Sequence, residues 1–232
     1  MANIFIVGGS SGIGKKLAEN LSAAGNNIFA TYFKNELQNF NSQIEYHPLD
    51  VMQNEFNFEY LPEIIDGLVY CPGSIQLKPF HRTKSADFIE DFELQVVGAV
   101  KTIQTVLPRL KKSSRASVLL FSTVAVQTGF NFHSIVAASK GAVEGLVRSL
   151  AAEFAPTVRV NGIAPSLTNT PLAERLLNTP EKMEANAQRH PMKRIGKDDD
   201  IAQAAEFLLS EKSSWITGQI LHIDGGISKL KV

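Results

Sequence analysis

The stretch Val7-Gly8-Gly9-Ser10-Ser11-Gly12-Ile13-Gly14 follows the apolar run Ile4 to Val7 and leads into a helical pattern beginning near Lys15. Glycines in that context let the backbone turn tightly and approach a ligand. The free amides around Ser10, Ser11 and Ile13 and the positive end of the helix dipole then face an anion. The chemistry this suits is binding the pyrophosphate of a dinucleotide, with Gly8, Gly12 and Gly14 shaping the loop; a plain glycine-rich turn is the bland alternative. Where the second strand ends, Ala30-Thr31-Tyr32-Phe33-Lys34 holds no carboxylate to accept the adenosine ribose hydroxyls. Lys34, with the Thr31 hydroxyl, is placed to receive a 2′-phosphate, which favours NADP(H) over NAD(H), against the reading of Lys34 as a solvated loop lysine. The single cysteine, Cys71, has no evident cationic partner to activate it and reads as a small buried residue.

The elements that must position these groups follow a regular rhythm. Short β-branched runs at Ile4 to Val7, Ile28 to Tyr32, Ile44 to His47, Gly67 to Cys71, Ser117 to Phe121, Val158 to Ile163 and Gln219 to Ile223 alternate with helical periodicity. The helical stretches are Lys15 to Ala24, Ala86 to Leu110, Ala137 to Phe154 and Asp199 to Leu209. This predicts an α/β fold: a Rossmann-type, doubly wound, parallel seven-stranded sheet with helices on both faces, in a single domain over 1–232. Pro108 is expected to kink or end its helix, and Gly25-Asn26-Asn27 to stop the first helix and turn the chain. The polar segment 171–196, with Pro180 and Pro191, lacks a strand pattern and reads as a helical excursion that forms a substrate lid.

Lys plus Arg and Asp plus Glu both total 23, so no global basic field draws the protein to nucleic acid or an anionic membrane. A small-molecule substrate is the expected partner. One cysteine excludes an internal disulfide and a multi-cysteine metal site, and no metal is expected. The N-terminal apolar run reads as a buried strand rather than a signal peptide or a membrane span, and the expected location is cytoplasmic.

The glycine spacing resembles the Thr-Gly-x-x-x-Gly-x-Gly loop of the short-chain dehydrogenase/reductases, with Val7 at the threonine position. The likeness continues through His47-Pro48-Leu49-Asp50-Val51, Ser139-Lys140-Gly141-Ala142, Arg159-Val160-Asn161-Gly162-Ile163-Ala164-Pro165, Trp215-Ile216-Thr217-Gly218 and Asp224-Gly225-Gly226. The resemblance is nearest to 3-oxoacyl-carrier-protein reductase-like members. It implies that Asp50, with Val51, holds the adenine ring, although Asp50 also suits a helix cap. It further implies that Pro165 and Thr170 lie against the nicotinamide half and that Lys140 holds its ribose. Ser166 replaces the usual glycine after Pro165, and Ser11 stands where NADP-dependent relatives often carry an arginine. The family also implies a homo-oligomer, a tetramer or dimer, with the two long helices pairing across one interface.

Counting from Lys140, the family's proton-transferring tyrosine falls on Val136, its orienting serine on Thr123 and its asparagine on Gln95. Thr123 keeps a hydroxyl and Gln95 an amide, but valine cannot move a proton. His133, three residues before Val136, is the first candidate to replace it, and Tyr70 the second. The reading this supports is an NAD(P)(H)-dependent oxidoreductase that transfers hydride to or from a small carbonyl, alcohol or enoyl-type substrate. Within that class, the 2,4-dienoyl-CoA reductases also depart from the tyrosine arrangement. From another class comes a catalytically degenerate domain that binds the dinucleotide as a sensory or structural ligand.

Overall fold

A computed structural model describes residues 1–34 and 43–231. Seven strands form one parallel sheet: β1 (Asn3–Val7), β2 (Asn27–Tyr32), β3 (Ile44–Pro48), β4 (Gly67–Tyr70), β5 (Ala116–Phe121), β6 (Val158–Pro165) and β9 (Ile220–Ile223). Their order is β3-β2-β1-β4-β5-β6-β9, so the chain reverses direction across the sheet between β1 and β4. Ligands of such sheets lie beyond the strand C-termini at this switch point.

Strand alternation divides the core in two. Phe5, Val7, Leu68, Tyr70, Val118 and Leu120 face one way, against α3 (Gly98–Leu110) and α4 (Ser134–Phe154). Their neighbours Ile4, Ile6, Val69, Leu119 and Phe121 face the other, against α1 (Gly12–Ala23) and α7 (Asp198–Leu209). A sheet buried on both faces reads as unbroken apolar runs, which is why each strand was visible in the sequence.

Gly25, with φ of 84°, closes α1, and the Asn26 amide donates back to the Leu21 carbonyl. Asn27 already belongs to β2, so the turn is one residue shorter than expected. The long helix expected over 86–110 is not uniform. It runs as α2 (Ser85–Phe92), a π turn at Glu93–Val97, then α3. Pro108 ends rather than kinks it, since α3 stops two residues later. The π turn leaves the Leu94 carbonyl to accept the Tyr70 hydroxyl at 2.6 Å. Only glycine fits at position 98, where a Cβ would sit 2.3 Å from that hydroxyl oxygen.

Segment 171–196 is helical as expected, with α5 (Glu174–Leu177) and α6 (Pro180–Gln188), but it is anchored by strands that the sequence did not announce. β7 (Thr168–Asn169) and β8 (Gly196–Lys197) pair in parallel and bring its two ends together. Two-residue strands are too short to show alternation. Among the described residues, no helix is long and apolar enough to cross a membrane.

Candidate active site

A cavity of about 790 Å³ opens beyond the C-terminal ends of the strands, from the glycine loop to the underside of segment 171–196. At its inner end Gly8 and Gly12 have φ of 77° and 51°, conformations that side chains rarely adopt. The Gly8 amide donates to the Thr31 hydroxyl at 3.0 Å, and the Gly9 amide to the Thr31 carbonyl at 2.9 Å. Thr31 thus ties the loop to β2 and supplies a hydroxyl that Val7 cannot. Thr31 is buried but lines the cavity, and its hydroxyl, accepting the Gly8 amide, keeps a proton to donate.

Ser11 precedes α1 without making a side-chain cap, and α1 has no acid in its first turn. The helix N-terminus is therefore left for an external anion. Ser10, Ser11, Ile13 and Gly14 line the cavity there. A Cβ on Gly12 would lie 3.3 Å from Thr170, so the loop and the start of segment 171–196 are nearly in contact. The Thr170 hydroxyl donates only weakly, at 3.4 Å, to the Thr168 carbonyl.

Lys34 stands exposed at the cavity rim, its ammonium 5.2 Å from the centre of the Phe33 ring. Asp50 also borders the cavity, and one of its carboxylate oxygens accepts the Met52 amide at 2.9 Å. No helix follows, so Asp50 stabilises a turn and is not a helix cap. Val51 is buried beneath it.

Further along, Lys140 is buried on α4, one turn after Val136, and both face the cavity. Burial lowers the lysine pKa to about 8, against the opposing pull of Asp91 and Cys71. Burial also pushes the Cys71 thiol up to about 12, partly offset by Lys140; contrary to expectation, Cys71 is only half-buried on the cavity wall and does have a cation near it. Gln95 is buried in the π turn; its amide nitrogen donates to Asp91 at 2.7 Å and its amide oxygen has no partner. A Cβ on Gly73 would lie 3.3 Å from that oxygen and 3.7 Å from the Lys140 ammonium, so both groups converge on the Gly73 backbone. Asp91, itself buried, also accepts a short hydrogen bond from the Ser74 hydroxyl. Sequence reasoning missed Asp91 and Ser74; an acid on the inner face of α2 was the available signal.

Thr123 leaves β5 extended, and its hydroxyl accepts the Ala125 amide at 3.3 Å, which leaves its proton for a ligand. Pro165 ends the adjacent strand beside it, since Phe121 pairs with Ile163. His133 borders the cavity at the start of α4, with Nδ1 2.7 Å from the Asn131 carbonyl. Tyr70 is ruled out as a proton donor to the cavity. It does not line the cavity, its hydroxyl is spent on Leu94, and burial pushes its pKa well up. Also missed was a second hydroxyl and histidine pair: the Ser166 hydroxyl lies 2.8 Å from His190 Nε2 on the cavity wall.

A parallel sheet with a glycine loop at its switch point, an uncapped helix behind it and a buried lysine across the cavity defines a dinucleotide-binding α/β domain. The residues present fit that group, from the amides around Gly12 to Lys140. Residues 7–228 match the family model described as enoyl-(acyl carrier protein) reductase. The chain belongs to the short-chain dehydrogenase/reductases, a family of NAD(P)-binding oxidoreductases. It is 30% identical over 235 residues to the uncharacterized oxidoreductase YmfI of Bacillus subtilis, covering 95% of this chain and 96% of that one. It is 30% identical over 238 residues to the 3-oxoacyl-[acyl-carrier-protein] reductase FabG of Thermotoga maritima, covering 96% of each. The structure of ElxO with NADP bound superposes with a TM-score of 0.86 at 27% identity, covering 99% of this chain and 100% of that one.

Proposed function

We propose that this protein is an NADP(H)-dependent oxidoreductase that transfers hydride to or from a small carbonyl, alcohol or enoyl-type substrate. The observation that carries this reading is one continuous cavity joining the glycine loop, Lys140, Thr123 and segment 171–196. When bound, the dinucleotide supplies the hydride. The amides around Gly12 hold its phosphates, Asp50 and Val51 the adenine end, and Pro165, Thr170 and Lys140 the nicotinamide half. Thr123 orients the substrate oxygen, Gln95 offers its unpaired amide oxygen beside Lys140, and segment 171–196 acts as a lid. Val136 takes the place of the family's tyrosine, so the proton comes from elsewhere.

Calorimetric titration with NADPH and NADH, followed by nicotinamide absorbance with ketone and enoyl-thioester panels, tests the reading. Tight binding with turnover supports it. Tight binding with no turnover across both panels would favour the sensory or structural domain instead, the reading that Val136 keeps open. NADP(H) is preferred because Lys34 stands at the rim, and an NADP-bound relative shares the fold. Lys34→Ala is expected to weaken NADPH binding about tenfold while leaving NADH unchanged, the effect of one lost hydrogen bond to a charged group. Equal losses for both cofactors would remove the 2′-phosphate contact.

Lys140 gives the cofactor site a pH dependence. Its ammonium carries a charge below about 8 and loses it above. The affinity for NADPH is therefore expected to fall as pH rises through about 8, and Lys140→Met should flatten that profile. We also propose a cytoplasmic homo-oligomer, tetramer or dimer. Ile89 and Phe92 on α2 and Trp215 ahead of β9 are exposed apolar side chains that an interface would cover. A monomeric mass in solution would exclude it.

A further inference from the structure

The hydroxyl and imidazole at Ser166 and His190 are hydrogen-bonded to each other on the wall of the cavity that holds Lys140 and Thr123. Ser166 immediately follows Pro165 at the end of β6 and lines the same cavity as Thr123, Val136 and Lys140. The register of β5 and β6 sets Thr123 beside Pro165, which puts the two hydroxyls on neighbouring strand ends. His190 is 3% exposed, and both ring nitrogens are engaged. Nδ1 is 2.9 Å from the Asn186 carbonyl, near the C-terminal end of α6. A carbonyl only accepts, so Nδ1 carries a proton. Nε2, 2.8 Å from the Ser166 oxygen, is then free to accept a proton from that hydroxyl when the ring is neutral, or to donate one when it is charged. An imidazole whose tautomer is fixed on one side and whose other nitrogen meets a cavity-lining hydroxyl is a proton relay.

His133 is less well placed to serve. It is half-buried at the cavity wall, its Nδ1 turned to its own loop at Asn131, and no hydroxyl of the cavity is bonded to it. The Arg189 guanidinium lies 5.5 Å from the Phe130 ring and ties the end of α6 to the loop before Val136. His190 itself packs against Gly225 beyond β9, with its Nε2 turned to Ser166.

Resting on the reading above, we propose that Ser166 is the proton donor of this site and that His190 supplies it. In reduction, hydride adds to the substrate carbonyl carbon and the carbonyl π pair moves to oxygen. That oxygen takes the Ser166 hydroxyl proton, and the Ser166 oxygen takes the proton on His190 Nε2. His190 is left neutral, with Nδ1–H still on Asn186, and is recharged from solvent. Oxidation runs the same transfers backwards, with neutral Nε2 as the acceptor.

The test uses the full chain, NADPH, and ketone and enoyl-thioester panels. Ser166→Ala and His190→Gln are each expected to lower kcat about 10²-fold, with NADPH affinity within about twofold of wild type and the double variant no worse than either single one. Glutamine can place its amide opposite the Ser166 hydroxyl but cannot exchange a proton, so a role limited to holding that hydroxyl would leave kcat nearly intact, whereas thermal unfolding reads the separate loss of the Asn186 bond. Nitrogen NMR of the cofactor-free protein gives a second readout: neutral His190 should carry its proton on Nδ1, and Ser166→Ala should move the Nε2 resonance. Wild-type turnover that survives in both variants would overturn the relay while leaving the reductase reading in place. A proton found on Nε2 of the neutral ring would also overturn it. NADPH binding without wild-type turnover on either panel would remove both proposals together.

Discussion

Val136→Tyr is expected to raise turnover of a simple ketone about 10²-fold, at the low end of what a positioned general acid contributes. The new hydroxyl would enter the cavity one helical turn before Lys140, whose ammonium, held at about 8 by burial, would favour the phenolate form. The gain sits at the low end because Ser166 and His190 already provide a longer route for the proton. In a His190→Gln background, where that route is cut, the same substitution should restore most of the lost rate. The measurement is steady-state reduction at saturating NADPH. No gain in either background would mean that the substrate no longer sits across from position 136.

The second large effect concerns cofactor binding. Gly14→Ala is expected to weaken NADPH affinity by at least about 100-fold. A Cβ at that position would lie 2.3 Å from the Gly8 carbonyl oxygen and 3.1 Å from its carbon. Both are backbone atoms, so no side chain can rotate away and the loop itself must open. Overpacking of this kind costs roughly 1–3 kcal/mol in an ordinary core. Here the strain falls on the amides that face the phosphates, so it appears in binding rather than in global stability. Calorimetry with NADPH, beside thermal unfolding of the same variant, separates the two. A variant that binds normally would show that the loop relaxes without cost.

Much of the fold is legible in the amino-acid sequence, and the reason is local pattern. Short β-branched runs mark strands and three- to four-residue spacing marks helices, so the sheet's strands were legible to within two residues and the helices to within three. The glycine loop was legible because its chemistry is local: strand, turn and helix are contiguous in the chain. Val136 was paired with Lys140 through the family resemblance; that both lie on α4, which begins at Ser134 rather than at Ala137, and face the cavity came from the structure.

Groups joined across the sequence were not legible. Ser166 and His190 are 24 residues apart and meet only because β7 and β8 fold the intervening segment back on itself. Thr31 reaches the Gly8 amide from 23 residues away, through the pairing of β1 with β2. Ser74 reaches Asp91 from 17 residues away, from the loop after β4 to α2. Tyr70 shows the converse. Its place at a strand end suggested a ligand contact, but its side chain lies under the π turn, where the Leu94 carbonyl takes its hydroxyl, and does not line the cavity. The sequence by itself determined the sheet and the phosphate loop, since each is set by neighbours along the chain. Only the tertiary structure decided which hydroxyls and imidazole line the cavity beside Lys140, because hydrogen bonds between distant segments follow the path of the chain in space and not its local pattern.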